Sequence, residues 1–264
     1  MRSMDVNSCL ARLVEISQAA GDVLLQYFRK TQLYYSTKQG RANLVTQADI
    51  MSQKIIIEQL ATLFPDIPVI TEENNDTVPG IETYFLVDPL DGTLNFFHGI
   101  PFFSVSIAFI MNRKPVVGVV HAPFLNETFC AIKGQGTFLD AKRLQAGRRK
   151  TLKEAVAVTG WPYEPSLMDL ALRSLILVQK EVQEVRVFGA CSLEMCYVAA
   201  NFIDVYWEIG LYPWDLAAGW LIVEEAGGVV SDLDGGTFDL ASNRVLAVNS
   251  ETLHRDVIKI LQYL

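Results

Sequence analysis

The sequence predicts an α+β first half built on an antiparallel sheet and a second half that forms an α/β layer. In the first half, β-rich runs follow one another through short turns, which is typical of neighbouring antiparallel strands. In the second half, strand and helix patterns alternate, which favours helices packed on a sheet. We place the boundary in a basic stretch between about residues 140 and 150. This gives an N-terminal domain of residues 1–142 and a C-terminal domain of residues 143–264.

Two helices are predicted near the N-terminus, with a polar segment between them. Apolar residues at helical spacing predict the first helix over residues 5–30. Residues 31–41 are polar and indicate a loop or a weak strand. Residues 46–49, Thr-Gln-Ala-Asp, have the pattern of a capping box that starts the second helix, and Pro65 ends it. Asp49 is either a functional acid or only a helix-start acid that interacts with the helix dipole.

Strand patterns dominate the rest of the first half. One short strand runs into the pair Glu72-Glu73, which is either a set of metal ligands or a solvated charge pair. A buried strand over residues 84–87 is expected to stop at Asp88, because Pro89 donates no backbone hydrogen bond. Residues 111–115 join two later strands into a hairpin. The predicted strands are residues 68–71, 84–87, 104–110, 116–122, 127–132 and 137–139.

Strands and helices alternate in the second half. The predicted strands are residues 155–160, 185–188, 205–209, 229–230 and 245–248. The predicted helices are residues 166–181, 191–200, 213–226 and a last one from about residue 251. Gly227-Gly228 ends the third of these helices. The basic residues at the boundary, namely Lys142, Arg143, Arg148, Arg149 and Lys150, are interpreted as a solvated linker.

Composition and charge exclude several classes of function. The net charge of −8 argues against a nucleic-acid footprint and against binding to an anionic membrane. No charged-then-apolar leader opens the chain and no uninterrupted apolar run reaches about 18 residues, so neither secretion nor membrane insertion is expected. The four cysteines lack a metal-binding spacing, which favours reduced thiols in a cytoplasmic protein.

The predicted site is organised around residues 88–96, Asp-Pro-Leu-Asp-Gly-Thr-Leu-Asn-Phe, which follow the buried strand. Gly92 lets the backbone approach a ligand closely, and Thr93 can open a helical turn whose free N–H groups attract an anion. Carboxylates beside such donors suit a hard divalent cation together with a phosphate. An ordinary turn is one alternative. A calcium loop is another, but it fails because Gly99 stands where the closing Glu should be.

A further carboxylate comes from Trp214-Asp215 at the start of a helix, where a simple N-cap Asp over a core Trp is the alternative.

Taken together, these segments resemble the inositol monophosphatase family, in order and over nearly the whole chain. The matching segments are residues 43–49, 72–73, 88–96, 159–163, 189–191, 214–219 and 225–228. The chain departs from the family pattern at Asn43, Gln47, Thr71 and Ala190. None of these departures removes a metal ligand, so they leave the choice of substrate open.

The resemblance implies a layered αβαβα sandwich with the site at the junction of its two halves. The metal ligands that it implies are Glu72, Asp88, the backbone carbonyl of Leu90, Asp91 and Asp215. Gly92 and Thr93 match positions whose backbone groups hold phosphate, and Thr93, Glu72 and Asp49 match the group that orients and activates water. The implied substrate contacts are Glu208, Gly189, Ala190 and Cys191.

The implied activity is Mg²⁺-dependent hydrolysis of a small phosphate monoester, foremost inositol monophosphate, by direct attack of water with about two or three Mg²⁺ ions. A 3′(2′),5′-bisphosphate nucleotidase, a fructose-1,6-bisphosphatase and a histidinol phosphatase are the alternatives within the superfamily. A regulatory protein that keeps the fold only for binding is the alternative of another class. The resemblance also implies inhibition by Li⁺ and a homodimer.

Overall fold

The computed structural model describes residues 5–30, 34–37, 44–73, 81–147 and 151–264. The predicted combination of a largely antiparallel half and an α/β half is confirmed. The helices of the described residues are α1 (Val6–Tyr27), α2 (Gln47–Leu63), α3 (Thr93–Phe97), α4 (Met168–Gln179), α5 (Cys191–Ala199), α6 (Pro213–Glu225) and α7 (Glu251–Leu261). The strands of the first half are β1 (Tyr35–Thr37), β2 (Leu44–Thr46), β3 (Val69–Thr71), β4 (Thr83–Asp91), β5 (Ser104–Met111), β6 (Lys114–Ala122), β7 (Glu127–Ile132), β8 (Gly136–Leu139) and β9 (Lys142–Arg143). Those of the second half are β10 (Val156–Thr159), β11 (Glu184–Arg186), β12 (Val205–Ile209), β13 (Val229–Ser231) and β14 (Arg244–Val248).

The first sheet contains seven strands in the order β3-β4-β5-β6-β7-β8-β9. Strand β3 runs parallel to β4, whereas the other neighbours are antiparallel, and β5 and β6 form the predicted hairpin. Side chains of β4 alternate between the two faces, as a strand requires. Phe85 and Val87 pack with α1 and α2, whereas Leu86 packs with α5 and α6. Both faces of this sheet are therefore covered by helices.

The predicted end of β4 at Asp88 is wrong, because the strand continues to Asp91. Asp88 pairs with Ser106 and Asp91 pairs with Ser104, so β4 carries one more residue than β5 over this interval. Such a bulge leaves its extra residue outside the hydrogen-bond ladder, and Pro89 fits there because it has no N–H to donate.

The second sheet has the strand order β11-β10-β12-β14-β13. Strand β10 is parallel to both β11 and β12, and β14 is antiparallel to β12 and β13. Helices α5 and α6 share one buried cluster with both sheets, and Gly118 of β6 lies so close to α6 that an added Cβ would stand 3.1 Å from the Ala218 backbone. Helices α4 and α7 cover the outer face of the second sheet. The layers therefore follow the order αβαβα, with α1 and α2 at one side and α4 and α7 at the other.

Several sequence-based interpretations lie partly outside the described residues. Of the polar segment 31–41, the described part forms the short exposed strand β1, while Asn43 and residues 148–150 lie outside the described residues. Lys142 and Arg143 pair with β8 as strand β9, so their interpretation as linker is wrong, although both are exposed. The division of the chain between residues 142 and 143 stays a prediction.

Two further observations concern cysteines and membrane spans. All four cysteines are buried and none forms a disulfide. Among the described ranges, no helix combines the length and the apolar character that crossing a membrane needs.

Candidate active site

A cavity of about 160 Å³ lies between the two halves, where β4 ends and α3 begins. Its walls are formed by the ends of strands and the starts of helices from both halves of the chain. The segments that border it are therefore far apart in the sequence. Most of the sequence-predicted site residues line this cavity: Glu72, Asp88, Leu90, Asp91, Gly92, Thr93, Gly189, Cys191, Glu208 and Asp215. The two remaining predicted residues, Asp49 and Ala190, are buried behind the wall and do not line it.

The β4 bulge directs Asp88 and Asp91 to the same cavity. These residues are three positions apart, so a regular strand would point them to opposite faces. The extra residue in the bulge resets the alternation, and both side chains line the cavity. The carbonyl of Pro89, inside the bulge, accepts a hydrogen bond of 2.7 Å from the hydroxyl of Ser52 on α2. Helix α2 therefore holds the bulge from outside the cavity.

Each of these two carboxylates uses one oxygen to bond to the protein. Asp88 Oδ1 accepts the Leu90 N–H at 2.9 Å. Asp91 Oδ2 accepts the Ser192 N–H at 2.9 Å, the Ser192 hydroxyl, and the Ser104 hydroxyl at 3.1 Å. Among the described residues, no hydrogen bond occupies the second oxygen of either carboxylate. Sequence reasoning missed Ser104 and Ser192, and no local signal could have found them because they lie 13 and 101 residues from Asp91.

Asp215 reaches the cavity from the first turn of α6. The N-cap residue of this helix is Tyr212, so Asp215 is not the N-cap residue that the simpler interpretation supposed. Its Oδ2 accepts the Tyr212 N–H at 2.8 Å, and this bond orients the carboxyl group at the helix start. The adjoining Trp214 is buried and its ring stacks on that of Tyr212, with ring centroids 5.0 Å apart.

Thr93 and Asp49 are in direct contact. The Thr93 hydroxyl lies 3.0 Å from Asp49 Oδ1 and 2.9 Å from the Leu90 carbonyl oxygen. Asp49 also closes the predicted capping box, because its Oδ2 accepts the Thr46 N–H at 2.8 Å. One oxygen of Asp49 therefore caps α2 and the other contacts the Thr93 hydroxyl, whereas a functional role for Asp49 stays a prediction. Burial raises the pKa of Asp49 to about 7, against the opposing effect of the hydrogen bonds from Thr46.

Gly92 is the N-cap residue of α3, and its φ of +88° lies in the left-handed region that favours glycine. A Cβ at this position would stand 3.1 Å from the Cβ of Ala190 and 3.1 Å from the Phe102 carbonyl oxygen. The first N–H groups of a helix have no acceptor within it, so those at the start of α3 are available to a ligand in the cavity. The predicted helical turn at Thr93 is confirmed.

Glu208 lines the cavity from the second half of the chain, near the end of β12. Its Oε2 accepts the Tyr206 hydroxyl at 2.6 Å. Its carboxylate fills the space where Gly160 lacks a side chain, because a Cβ on Gly160 would lie 2.2 Å from both carboxylate oxygens. The thiol of Cys191 lies between these groups and α6, with Sγ 3.5 Å from the Asp215 carbonyl oxygen. Tyr206 and Gly160 therefore hold the Glu208 carboxylate in a fixed position in the cavity that the acids of β4 also line.

The clustered acids repel one another. Burial, followed by repulsion from Glu72, Asp91 and Asp215, raises the pKa of Asp88 well above its ordinary value. Burial and then the charge of Glu72 raise the pKa of Asp215 in the same direction. Within the described part of the chain, no three His, Cys, Asp or Glu side chains already stand at the geometry of a metal site. The approach of the four acids to a common ion therefore stays a prediction.

The chain is similar to known proteins over almost its full length. The sequence profile of the inositol monophosphatase family matches residues 5–264. The Nus factor SuhB of Haemophilus influenzae is 36% identical over 258 residues, which are 97% of this chain and 96% of that protein. Inositol monophosphatase 2 of Solanum lycopersicum is 38% identical over 245 residues, which are 90% of this chain and 92% of that protein.

A solved structure has the same fold. The crystal structure of the extragenic suppressor protein suhB from Bartonella henselae superimposes with a TM-score of 0.90 at 37% sequence identity. The match covers 97% of this chain and 98% of that chain. The resemblance found in the segments around the cavity thus extends through the whole fold, and the chain belongs to the inositol monophosphatase family.

Proposed function

We propose that the protein hydrolyses a small phosphate monoester, foremost inositol monophosphate, in a Mg²⁺-dependent reaction in which water attacks the phosphorus directly. The observation that supports this most is the meeting, in one cavity, of four acids from three segments with the N-terminus of α3. Acids alone favour a cation, and helix N–H groups alone favour an anion. Their combination suits a metal-bound phosphate ester.

The proposed ligands fit Mg²⁺ by their chemistry. Carboxylates of Glu72, Asp88, Asp91 and Asp215, together with the Leu90 carbonyl, supply only oxygen atoms, which hard divalent cations prefer. Mutual repulsion among these acids is relieved when a cation binds between them. When bound, about two or three Mg²⁺ ions neutralise phosphate oxygens and lower the pKa of the attacking water.

Thr93 orients that water in the proposed reaction. Its hydroxyl has a single proton and two acceptors within reach, Asp49 Oδ1 and the Leu90 carbonyl oxygen. In the proposed reaction the proton is donated to Asp49, so the oxygen lone pairs remain to accept a hydrogen bond from water. Glu72 lines the same cavity and is the proposed acceptor of the proton that the water loses. Asp49 acts through Thr93, because it holds the hydroxyl in the required orientation.

Phosphate and alcohol are held by opposite walls. The N–H groups of Gly92 and Thr93 bind phosphate oxygens at the positive end of α3 without adding a net charge. Glu208 accepts hydrogen bonds from hydroxyl groups of the leaving alcohol, which favours a polyol over an apolar alcohol. Gly189 and Cys191 border the space between. The homodimer and the cytoplasmic location stay predictions.

A panel of phosphate esters tests the proposed activity. Purified protein with Mg²⁺ is assayed for phosphate release from inositol 1-phosphate, fructose 1,6-bisphosphate, adenosine 3′,5′-bisphosphate, histidinol phosphate and p-nitrophenyl phosphate. We expect the highest kcat/KM with inositol 1-phosphate, because its ring hydroxyls can reach Glu208. Preference for another ester would change the substrate but not the reaction. No release from any ester would refute the hydrolase function and favour the binding protein.

Thr93→Ala is expected to lower kcat by at least about tenfold while KM changes little. The substitution keeps the backbone N–H groups that hold phosphate and removes only the hydroxyl that orients water. Thr93→Ser, which keeps that hydroxyl, is the control and is expected to retain most of the activity. Steady-state kinetics with the preferred ester measures both constants. A rise in KM alone would make Thr93 a binding residue and contradict its role toward water.

A further inference from the structure

The turn formed by residues 187–190 lies directly behind the N-terminus of α3. It connects β11 to α5 and therefore belongs to the second half of the chain, whereas α3 belongs to the first. A Cβ on Gly92 would meet Ala190 Cβ at 3.1 Å and the Gly189 carbonyl oxygen at 3.2 Å. A displacement of this turn would therefore move the atoms that Gly92 packs against.

Asn95 holds the turn from the side of the first half. Its Nδ2 lies 2.6 Å from the Phe188 carbonyl oxygen, 2.9 Å from that of Phe102 and 3.3 Å from that of Gly189. A side-chain amide has two protons to donate, so the two shorter bonds are satisfied together. Since Asn95 is part of α3, this one side chain ties the helix that begins at Gly92 to the turn.

Glu194 holds the same turn from the side of the second half. Its Oε1 accepts the N–H groups of Phe188 and Gly189, both at 3.0 Å. The side chain is 1% exposed, and no residue in the described part of the chain forms a hydrogen bond with its Oε2. An acid this deeply buried is costly, and the bonds that it makes are to the backbone of one turn. Burial also raises its pKa to about 8.

We propose that Asn95 and Glu194 are positioning residues that together hold the 187–190 turn against Gly92 and so fix the phosphate-binding start of α3 relative to the second half. Asn95 binds the Phe188 carbonyl group of the turn, and Glu194 binds the N–H groups of Phe188 and Gly189. This inference rests on the proposed role of Gly92 and Thr93 toward phosphate. Asn95 borders the cavity and Glu194 does not, and neither belongs to the proposed metal ligands or water-activating residues.

Weaker phosphate binding is the expected consequence of losing either residue. Helix N–H groups bind an anion only within a narrow range of distance and angle, so a shifted α3 start makes poorer hydrogen bonds. The carboxylates of Asp88 and Asp91 have their own hydrogen bonds to Leu90, Ser104 and Ser192, so they stay in place. We therefore expect a change in phosphate affinity that exceeds the change in Mg²⁺ affinity.

Binding of inorganic phosphate tests the proposal without requiring turnover. Isothermal titration calorimetry with phosphate at saturating Mg²⁺ is performed on the full chain and on Asn95→Ala, Glu194→Leu and Glu194→Gln. Asn95→Ala and Glu194→Leu are expected to raise the phosphate Kd by about tenfold, the scale of one or two lost hydrogen bonds. Glu194→Gln keeps an oxygen that accepts both N–H groups, and it is expected to stay close to the wild-type Kd.

A matched control comes from the opposite end of the second sheet. There the buried carboxylate of Asp204 accepts the Val156 N–H at 2.9 Å, in the same way as Glu194 but away from the cavity. Asp204→Leu is expected to lower Tm without changing the phosphate Kd. If Glu194→Leu does not fold, the phosphate Kd of Asn95→Ala still decides the outcome.

Two results would overturn the proposal. The first is an unchanged phosphate Kd in folded Asn95→Ala, whatever its Tm, since this would leave a purely structural role. The second is a loss of affinity in Glu194→Gln as large as in Glu194→Leu, since the backbone bonds would then not matter. A wild-type protein that binds phosphate but hydrolyses no ester would refute the hydrolase function alone, whereas one that binds no phosphate would refute both.

Discussion

Replacing Asp91 by Asn is expected to lower kcat by at least about a hundredfold. The change keeps the size of the side chain and removes one negative charge from a site proposed to hold several positive ones, and single electrostatic groups act on this scale in such sites. Weaker Mg²⁺ binding is expected for the same reason. Steady-state kinetics over a range of Mg²⁺ concentrations separates the loss in kcat from the loss in cation affinity.

The variant is expected to fold normally. The Asn side chain retains one oxygen that can accept the Ser192 N–H and the Ser104 hydroxyl, so these buried donors keep their partner. Burial raises the pKa of Asp91, so its charged form is less favoured in the fold than in water when no cation is bound. Asp204→Asn, a buried substitution of the same kind outside the cavity, is the control and should leave the Mg²⁺ dependence unchanged. Wild-type activity of Asp91→Asn on every ester tried would favour the binding protein.

Removal of divalent cations is expected to abolish phosphatase activity altogether. Without a cation, burial and then repulsion from Glu72, Asp91 and Asp215 raise the pKa of Asp88, and these acids repel an arriving phosphate ester. Activity should vanish in excess EDTA and return with Mg²⁺. Ca²⁺ should restore it poorly, because its larger and looser coordination shell would misplace the water. Li⁺ should inhibit, as the family resemblance implies.

Thermal unfolding gives a second measure of Mg²⁺ binding, and this measure does not depend on turnover. A cation that binds only the folded protein raises Tm by an amount that grows with the ratio of its free concentration to its Kd. We therefore expect Tm to rise with Mg²⁺ in the wild type and to rise less in Asp91→Asn. Full turnover in excess EDTA, or a Tm that does not respond to Mg²⁺, would contradict the metal mechanism.

Local chemistry in the sequence determined most of the secondary structure. The helix start at Thr46, the hairpin around residues 111–115 and the turn into α3 at Gly92 each depend on residues within a few positions of one another. The order of the acids along the chain was also visible, since a strand end and a helix start are both local signals. Their family resemblance predicted the layered arrangement, which periodicity alone would not have specified.

The end of β4 shows where local reasoning failed. A proline after Asp88 predicts that the strand stops, because the rule considers only the missing N–H. Pairing with β5 extends the strand past this proline. The register gives β4 one more residue than β5 over this interval, which makes a bulge, and Pro89 lies in that bulge. The same register brings Asp88 and Asp91 to one cavity.

Tertiary structure alone decided which groups hold the site together. Asp91 bonds to Ser192 across 101 residues, and Asn95 bonds to Phe188 across 93. The sequence by itself therefore determined which acids are present, which elements carry them and which family the segments resemble. Packing of the two halves decided how these acids are oriented, because a hydrogen bond between distant segments depends on where two separate backbones meet and leaves no pattern in either one.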